Sequence, residues 1–172
     1  MTLKELNNLP SGEIRAELLR CCGCKRWAEQ IASRRPFDTI GSLLSFSDSV
    51  WNTLSPEDWK EAFSHHPRIG DVRGLKEKFA ATAQWASKEQ AGTESAPEEV
   101  LESLAEGNRL YEQKFGYIFI VCATGKSAGK MLSMLRERLG NSPDAELKSA
   151  AAEQAKITKL RLQKLVASNE PH

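Results

Sequence analysis

Only one stretch of this chain has the character of a β-strand, and it has no partner to pair with. Residues 116–125, GYIFIVCATG, form an unbroken run of apolar side chains rich in strong β-formers, bounded by glycines. A lone strand cannot make a sheet, because its backbone N–H and C=O groups would stay unpaired along both edges. The run therefore reads as a buried bend or a short tight helix between two long helices. That reading makes the fold class all-α.

Helix punctuation agrees. In SPEDW, Ser55 has the character of an N-cap, Pro56 of a first helical residue, and Glu57 and Asp58 lie in the first turn, where the helix dipole favours anions. SPDAEL repeats the arrangement from Ser142, SAPEEV does so more loosely near Ala96 and Pro97, and Thr2 and Glu5 have capping-box spacing. Apolar residues recur at helical spacing after each start. Val100, Leu101, Leu104, Leu110, Tyr111 and Phe115 form one stripe, stopped by Gly116; Met131, Leu132, Met134, Leu135 and Leu139 form another, stopped by Gly140. The last segment carries Leu147, Ala151, Ala155, Ile157, Leu160, Leu162, Leu165 and Val166, up to about Ser168. Near the N-terminus, Ile14, Leu18, Leu19 and Cys22 precede Gly23, and Trp27 and Ile31 precede RRPF. With 172 residues, the expectation is one compact domain, 1–172, of roughly seven to nine helices. Residues 91–97 read as an exposed loop within it.

Charge excludes several function classes. With 24 basic and 23 acidic side chains the net charge is +1, which argues against a dedicated nucleic-acid binder. No apolar run approaches 18 residues, so no membrane span is expected. MTLKELNNLP lacks the apolar centre of a secretory signal and SNEPH matches no peroxisomal or prenylation signal, so the expected compartment is the cytoplasm. Cys21, Cys22 and Cys24 crowd together in CCGCKRW, with Cys122 apart. They lack the paired C-x-x-C knuckles of a zinc site, and read as small buried thiols kept reduced. Trp27, Trp51, Trp59 and Trp85 read as core or interface packing, and Arg138 as a structural or salt-bridge residue.

The chemistry concentrates in AFSHHPRIGD, Ala62 to Asp71, which holds two of the chain's three histidines. Proline disfavours the α region at the residue before it, so the helix opened by Ser55 should end ahead of Pro67 and leave His66 at its C-terminal end. The dipole favours a cation there, and a histidine on a rigid helix end facing a loop suits general acid/base work. The plain alternative is a histidine that caps the last carbonyls. A shared metal is disfavoured, since adjacent helical residues point about 100° apart and metal-binding helices use i, i+4 pairs. ATGKSAGK lacks the earlier glycine of a phosphate-binding loop.

SHHPRIGD, WASKEQAG, NRLYEQKFGYIFIVCATGKSA, RERLGN and AKITKLRLQKL together resemble the OHCU decarboxylases of urate degradation, over nearly the whole chain. OHCU is 2-oxo-4-hydroxy-4-carboxy-5-ureidoimidazoline. The resemblance implies an all-α protein that needs no metal or organic cofactor and is commonly a homodimer. It also implies conversion of this small-molecule substrate to (S)-allantoin and carbon dioxide, with no nucleic-acid or membrane partner. It places the catalytic histidine before the proline, at His66, and a catalytic carboxylate at Glu89. It gives substrate contacts to Pro67, Ala86, Ser87, Lys88, Gln90 and Arg161, and to the backbone of Phe119, Ile120, Val121, Cys122 and Ala123. Family members often carry a serine three residues before that glutamate; here the position is Ala86 and the nearest hydroxyl is Ser87. Two rival readings remain: a helical protein-interaction module using the basic face of the last helix, and a metal-dependent hydrolase using His65, His66 and carboxylates.

Overall fold

The computed structural model describes residues 1–67, 73–74 and 98–167. Among these there are eight helices and no strand: α1 Leu3–Asn8, α2 Ser11–Cys21, α3 Lys25–Arg34, α4 Ile40–Thr53, α5 Pro56–Ser64, α6 Glu98–Phe115, α7 Ala128–Leu139 and α8 Pro143–Ala167. The all-α expectation holds.

The chain divides into two compact units, one of residues 1–66 with 151–172 and one of residues 67–150. In the first, the fully buried side chains include Leu6, Ile14, Leu18, Trp27, Ile31, Leu43, Phe63 and Leu162. Its helix starts are built locally. Thr2 accepts from the Glu5 amide at 3.1 Å while the Glu5 carboxylate accepts from the Thr2 amide at 3.2 Å. Ser55 and Asp58 make the same reciprocal box with Pro56 at the first helical position. Each such cap satisfies amides that the first helical turn cannot pair internally. Buried indoles also find acceptors: Trp27 Nε1 donates to Ser47 Oγ at 3.1 Å, and Trp51 Nε1 to the Ala151 carbonyl at 2.9 Å.

In the second unit α6 and α7 enclose a core of Leu101, Leu104, Tyr111, Val121, Ala128, Met131, Leu132 and Leu135. Between them, residues 116–127 are irregular, neither strand nor short helix. Gly116 and Gly125 sit at φ +85° and +74°, a left-handed backbone that glycine adopts without the Cβ clash other residues meet. The helical alternative for this run is thus corrected, and the buried-bend alternative is the one the chain adopts.

The stripe expected on the last helix also needs correction. Its buried positions are Glu146, Ala150, Ala151, Glu153, Gln154, Thr158, Leu162 and Val166. Leu147, Ala155, Ile157, Leu160 and Leu165 are only half buried. Polar side chains occupy the inner face because each finds a partner there, which apolar periodicity cannot register.

Candidate active site

α5 ends as Pro67 requires. Its last helical residue is Ser64, its C-cap is His65, and His66 lies one residue beyond, its amide donating to the Phe63 carbonyl at 3.3 Å. The two histidines then separate in role. The His65 ring packs over Gly23, so closely that a Cβ on residue 23 would fall 2.5 Å from His65 Cβ. His66 is half buried and turns towards α8, where its Nε2 lies 2.5 Å from Gln154 Oε1. Gln154 is fully buried, and its amide Nε2 donates to Thr158 Oγ1 at 3.1 Å. Thr158 in turn lies against the Cys22 thiol. A line of polar contacts thus runs from the imidazole through α8 to the CCGC turn.

Arg161 lies on the same face of α8. Seven residues separate it from Gln154, which brings the helix back to within about 20° of the same direction and advances about 10 Å along the axis. One guanidinium nitrogen of Arg161 donates to the carbonyls of Arg20 and Cys21, each at 3.4 Å. That fixes the arginine at the C-terminus of α2, where free carbonyls attract a cation. The basic face that suggested an interaction module is in part used internally: besides Arg161, Lys156 pairs with Glu153 at 2.6 Å.

The cysteines behave as buried thiols. Burial pushes Cys22 up to about 12 and Cys21 up to about 11, well away from the thiolate form that a ligand or nucleophile needs. Among the described residues no group of three or more His, Cys, Asp and Glu side chains gathers as a metal set.

In the second unit the 119–123 backbone is held by a buried cation. Arg138 donates from Nη1 to the Ile120 carbonyl at 2.5 Å and from Nη2 to Glu146 at 2.5 Å, with its guanidinium 4.6 Å from the Phe119 ring centroid. Glu146 also accepts from Tyr111 and, at 3.1 Å, from Asn141. Lys126 Nζ takes the Cys122 carbonyl at 2.6 Å. The Ile120 and Cys122 carbonyls are thereby tied down. Among the described residues no backbone acceptor takes the amides of Phe119, Ile120 or Val121.

The structure thus links His66 and Arg161 to one helix face in the first unit, places Pro67 exposed beside His66, and describes Phe119 to Ala123 in the second. Ala86, Ser87, Lys88, Glu89 and Gln90 lie outside the described residues. The sequence reading missed Gln154, and it missed Tyr111 and Glu146 as members of the Arg138 group; Arg138 itself was read as a structural or salt-bridge residue, and it pairs with Glu146. The available signal was a polar residue standing four before Thr158 and seven before Arg161 on one helix face.

The sequence model of OHCU decarboxylase matches residues 7–163. The chain belongs to the OHCU decarboxylase family. It is 38% identical over 145 residues to a uric acid degradation bifunctional protein of Arabidopsis thaliana, covering 84% of this chain and 45% of that one. It is 36% identical over 139 residues to the 2-oxo-4-hydroxy-4-carboxy-5-ureidoimidazoline decarboxylase of Xenopus laevis, covering 81% and 79%. Among solved structures, an OHCU decarboxylase crystallised in the presence of (S)-allantoin superposes with a TM-score of 0.70 at 39% identity, covering 88% of this chain and 98% of that one. The chain spans less than half the length of the bifunctional relatives it matches. OHCU decarboxylase is thus a family in which a protein can match this chain over nearly its full length or carry such a region as one part.

Proposed function

We propose that this chain, as one helical domain over 1–172, decarboxylates 2-oxo-4-hydroxy-4-carboxy-5-ureidoimidazoline to (S)-allantoin and carbon dioxide, and that it works as a homodimer in the cytoplasm. The observation that carries the reading is its match to nearly the whole of a solved OHCU decarboxylase, at an identity well above what fold alone produces.

The substrate's carboxylate sits on a ring carbon that also bears a hydroxyl and adjoins a C=N bond. When the bond to carbon dioxide breaks, its electron pair forms a C=C bond to the neighbouring carbon, and the C=N pair moves onto nitrogen. The nitrogen takes a proton, the hydroxyl gives up its own to become the carbonyl as the C=C pair returns to the neighbouring carbon, and that carbon takes a second proton, so one proton is taken up overall. The substrate is its own electron sink, so the protein's task is to hold the carboxylate out of the ring plane, move protons and choose a face. In this reading His66 takes the hydroxyl proton and Glu89 shares in proton transfer. Gln90 supplies a donor and an acceptor to the ureido group, and Arg161 holds an anionic oxygen with nitrogens not used on α2. The backbone of Phe119 to Ala123 supplies amides that stabilise charge developing on ring oxygens. The resemblance also gives substrate contacts to Pro67, Ala86, Ser87 and Lys88, with Ser87 the next hydroxyl in sequence after Ala86.

The test is a coupled assay from urate with urate oxidase and hydroxyisourate hydrolase, followed by circular dichroism. Dextrorotatory (S)-allantoin should accumulate faster than spontaneous decay, which gives both hands. His66→Asn should lower the rate by about 10²–10⁴, the range for one acid/base group, while His65→Ala is much milder. Racemic product at the uncatalysed rate would remove the assignment.

A further inference from the structure

Gln154 is fully buried, lies on no motif of the sequence, and touches the one imidazole assigned to proton transfer. Its amide has two distinct ends. The Nε2 end donates to Thr158 Oγ1 at 3.1 Å. The end that faces His66 is the carbonyl oxygen Oε1, 2.5 Å from the ring's Nε2. A carbonyl oxygen only accepts. The His66 Nε2 must carry a hydrogen, and in the neutral ring the lone pair then lies on Nδ1.

We infer that Gln154 is a positioning residue for the reaction: it holds His66 as the Nε2–H tautomer, so that Nδ1 is the atom that accepts the substrate's proton. Three observations support a built arrangement. Gln154 is held at both ends of its amide, Oε1 on the His66 ring and Nε2 on Thr158. α8 carries both Gln154 and Thr158 at i and i+4, so the relay's spacing is fixed by the helix. Arg161 follows seven residues on, along the same face, and is itself pinned to α2. The relay thus aligns the ring plane and the arginine from one rigid element. The inference rests on the reading that His66 moves the proton.

The test uses the full chain labelled with ¹⁵N-histidine, with the His66 ring signals assigned by their loss in His66→Asn. In the neutral ring, Nε2 should be the protonated, pyrrole-like nitrogen and Nδ1 the pyridine-like one. Gln154→Glu keeps an acceptor and adds a charge. It should raise the pH midpoint of His66 by a unit or more and move the acid limb of the rate profile upward in parallel, since a neutral His66 is needed and a carboxylate favours the imidazolium. Gln154→Met keeps the length and removes both polar ends. It should lower kcat about tenfold or more with KM little changed and the helical signal intact. A protonated Nδ1 in the wild-type ring, an unmoved midpoint in Gln154→Glu, or a wild-type kcat in Gln154→Met would each overturn the inference. The parent reading fails separately: a fully active His66→Asn would remove His66 from the mechanism, while the ring spectra would still decide whether Gln154 sets the tautomer.

Discussion

The two units solve the problem of interior polar groups in opposite ways. In the first, among the described residues, several buried contacts use no carboxylate, ammonium or guanidinium: Trp27 to Ser47, Trp51 to the Ala151 carbonyl, and His66 to Gln154 and on to Thr158. In the second, a full ion pair is buried. Arg138 and Glu146 are 8% and 0% exposed, and their charges serve Tyr111, Asn141 and the Ile120 carbonyl at once. The difference follows from what each must hold. The proton transfer proposed for His66 is served by an amide partner such as Gln154, which adds no charge of its own. An irregular backbone segment needs a donor strong enough to replace the ladder it lacks, and a guanidinium offers several in a rigid fork.

The largest effect should come from breaking the charged arrangement. Glu146→Leu strands the Arg138 guanidinium and removes the acceptor of the buried Tyr111 phenol. Losing one partner of a buried pair costs about 3–5 kcal/mol, read as a fall in the urea midpoint. Adding Arg138→Met to that variant should recover part of the loss, because the uncompensated charge goes with it. If the double variant is as unstable as the sum of its parts, the pair is not the desolvated unit described, and the contrast between the units weakens.

The neutral counterpart should be milder. Ser47→Ala removes the oxygen under the Trp27 indole N–H and leaves one buried donor without its partner. The expected cost is about 1–3 kcal/mol, measured in the same urea titration. A Ser47→Ala loss equal to that of Glu146→Leu would mean that charge is not what separates the two interiors.

This contrast also explains what could be read from the sequence. Caps are local, so Thr2 with Glu5 and Ser55 with Asp58 announce their helices within four residues, and Pro67 announces the end of α5. The all-α class followed from those signals and from the isolation of residues 116–125. The inner face of α8 was misread because Glu146, Glu153, Gln154 and Thr158 look like a solvated face until their partners are known. Those partners are distant: His66 lies 88 residues from Gln154, and Tyr111 lies 35 from Glu146. Arg138 was legible as structural, but nothing local says that it holds the Ile120 carbonyl. The site is legible to the same degree, with His66 marked by its proline and its tautomer partner hidden in another helix.

The smallest effect at neutral pH should become visible only in alkali. Burial raises Cys22 from 9.0 to about 12 and Cys21 from 9.0 to about 11. Below pH 9 both the folded and unfolded chains keep these protons, so neither thiol contributes a pH dependence. Above pH 9 the unfolded chain releases them and the folded chain does not, so stability falls as pH rises, by about 1.4 kcal/mol per pH unit for each thiol. The fall from Cys21 stops near its folded value of about 11, and that from Cys22 near about 12. The Tyr111 phenol in the second unit is also raised, chiefly by burial and then by its bond to Glu146, and it joins the decline only above its ordinary value of 10.0. The first unit should therefore set the onset of alkaline destabilisation and the second its steepening. Cys22→Ala should leave the urea midpoint at pH 7 within about 1 kcal/mol of the parent, yet flatten the slope between pH 9 and 10 by one proton's worth. Tyr111→Phe should leave that window alone and flatten the curve above pH 10. An unchanged slope in Cys22→Ala between pH 9 and 10 would mean that the thiol already ionises in the folded chain, and that the interior behind His66 is wetter than the Gln154–Thr158–Cys22 line requires.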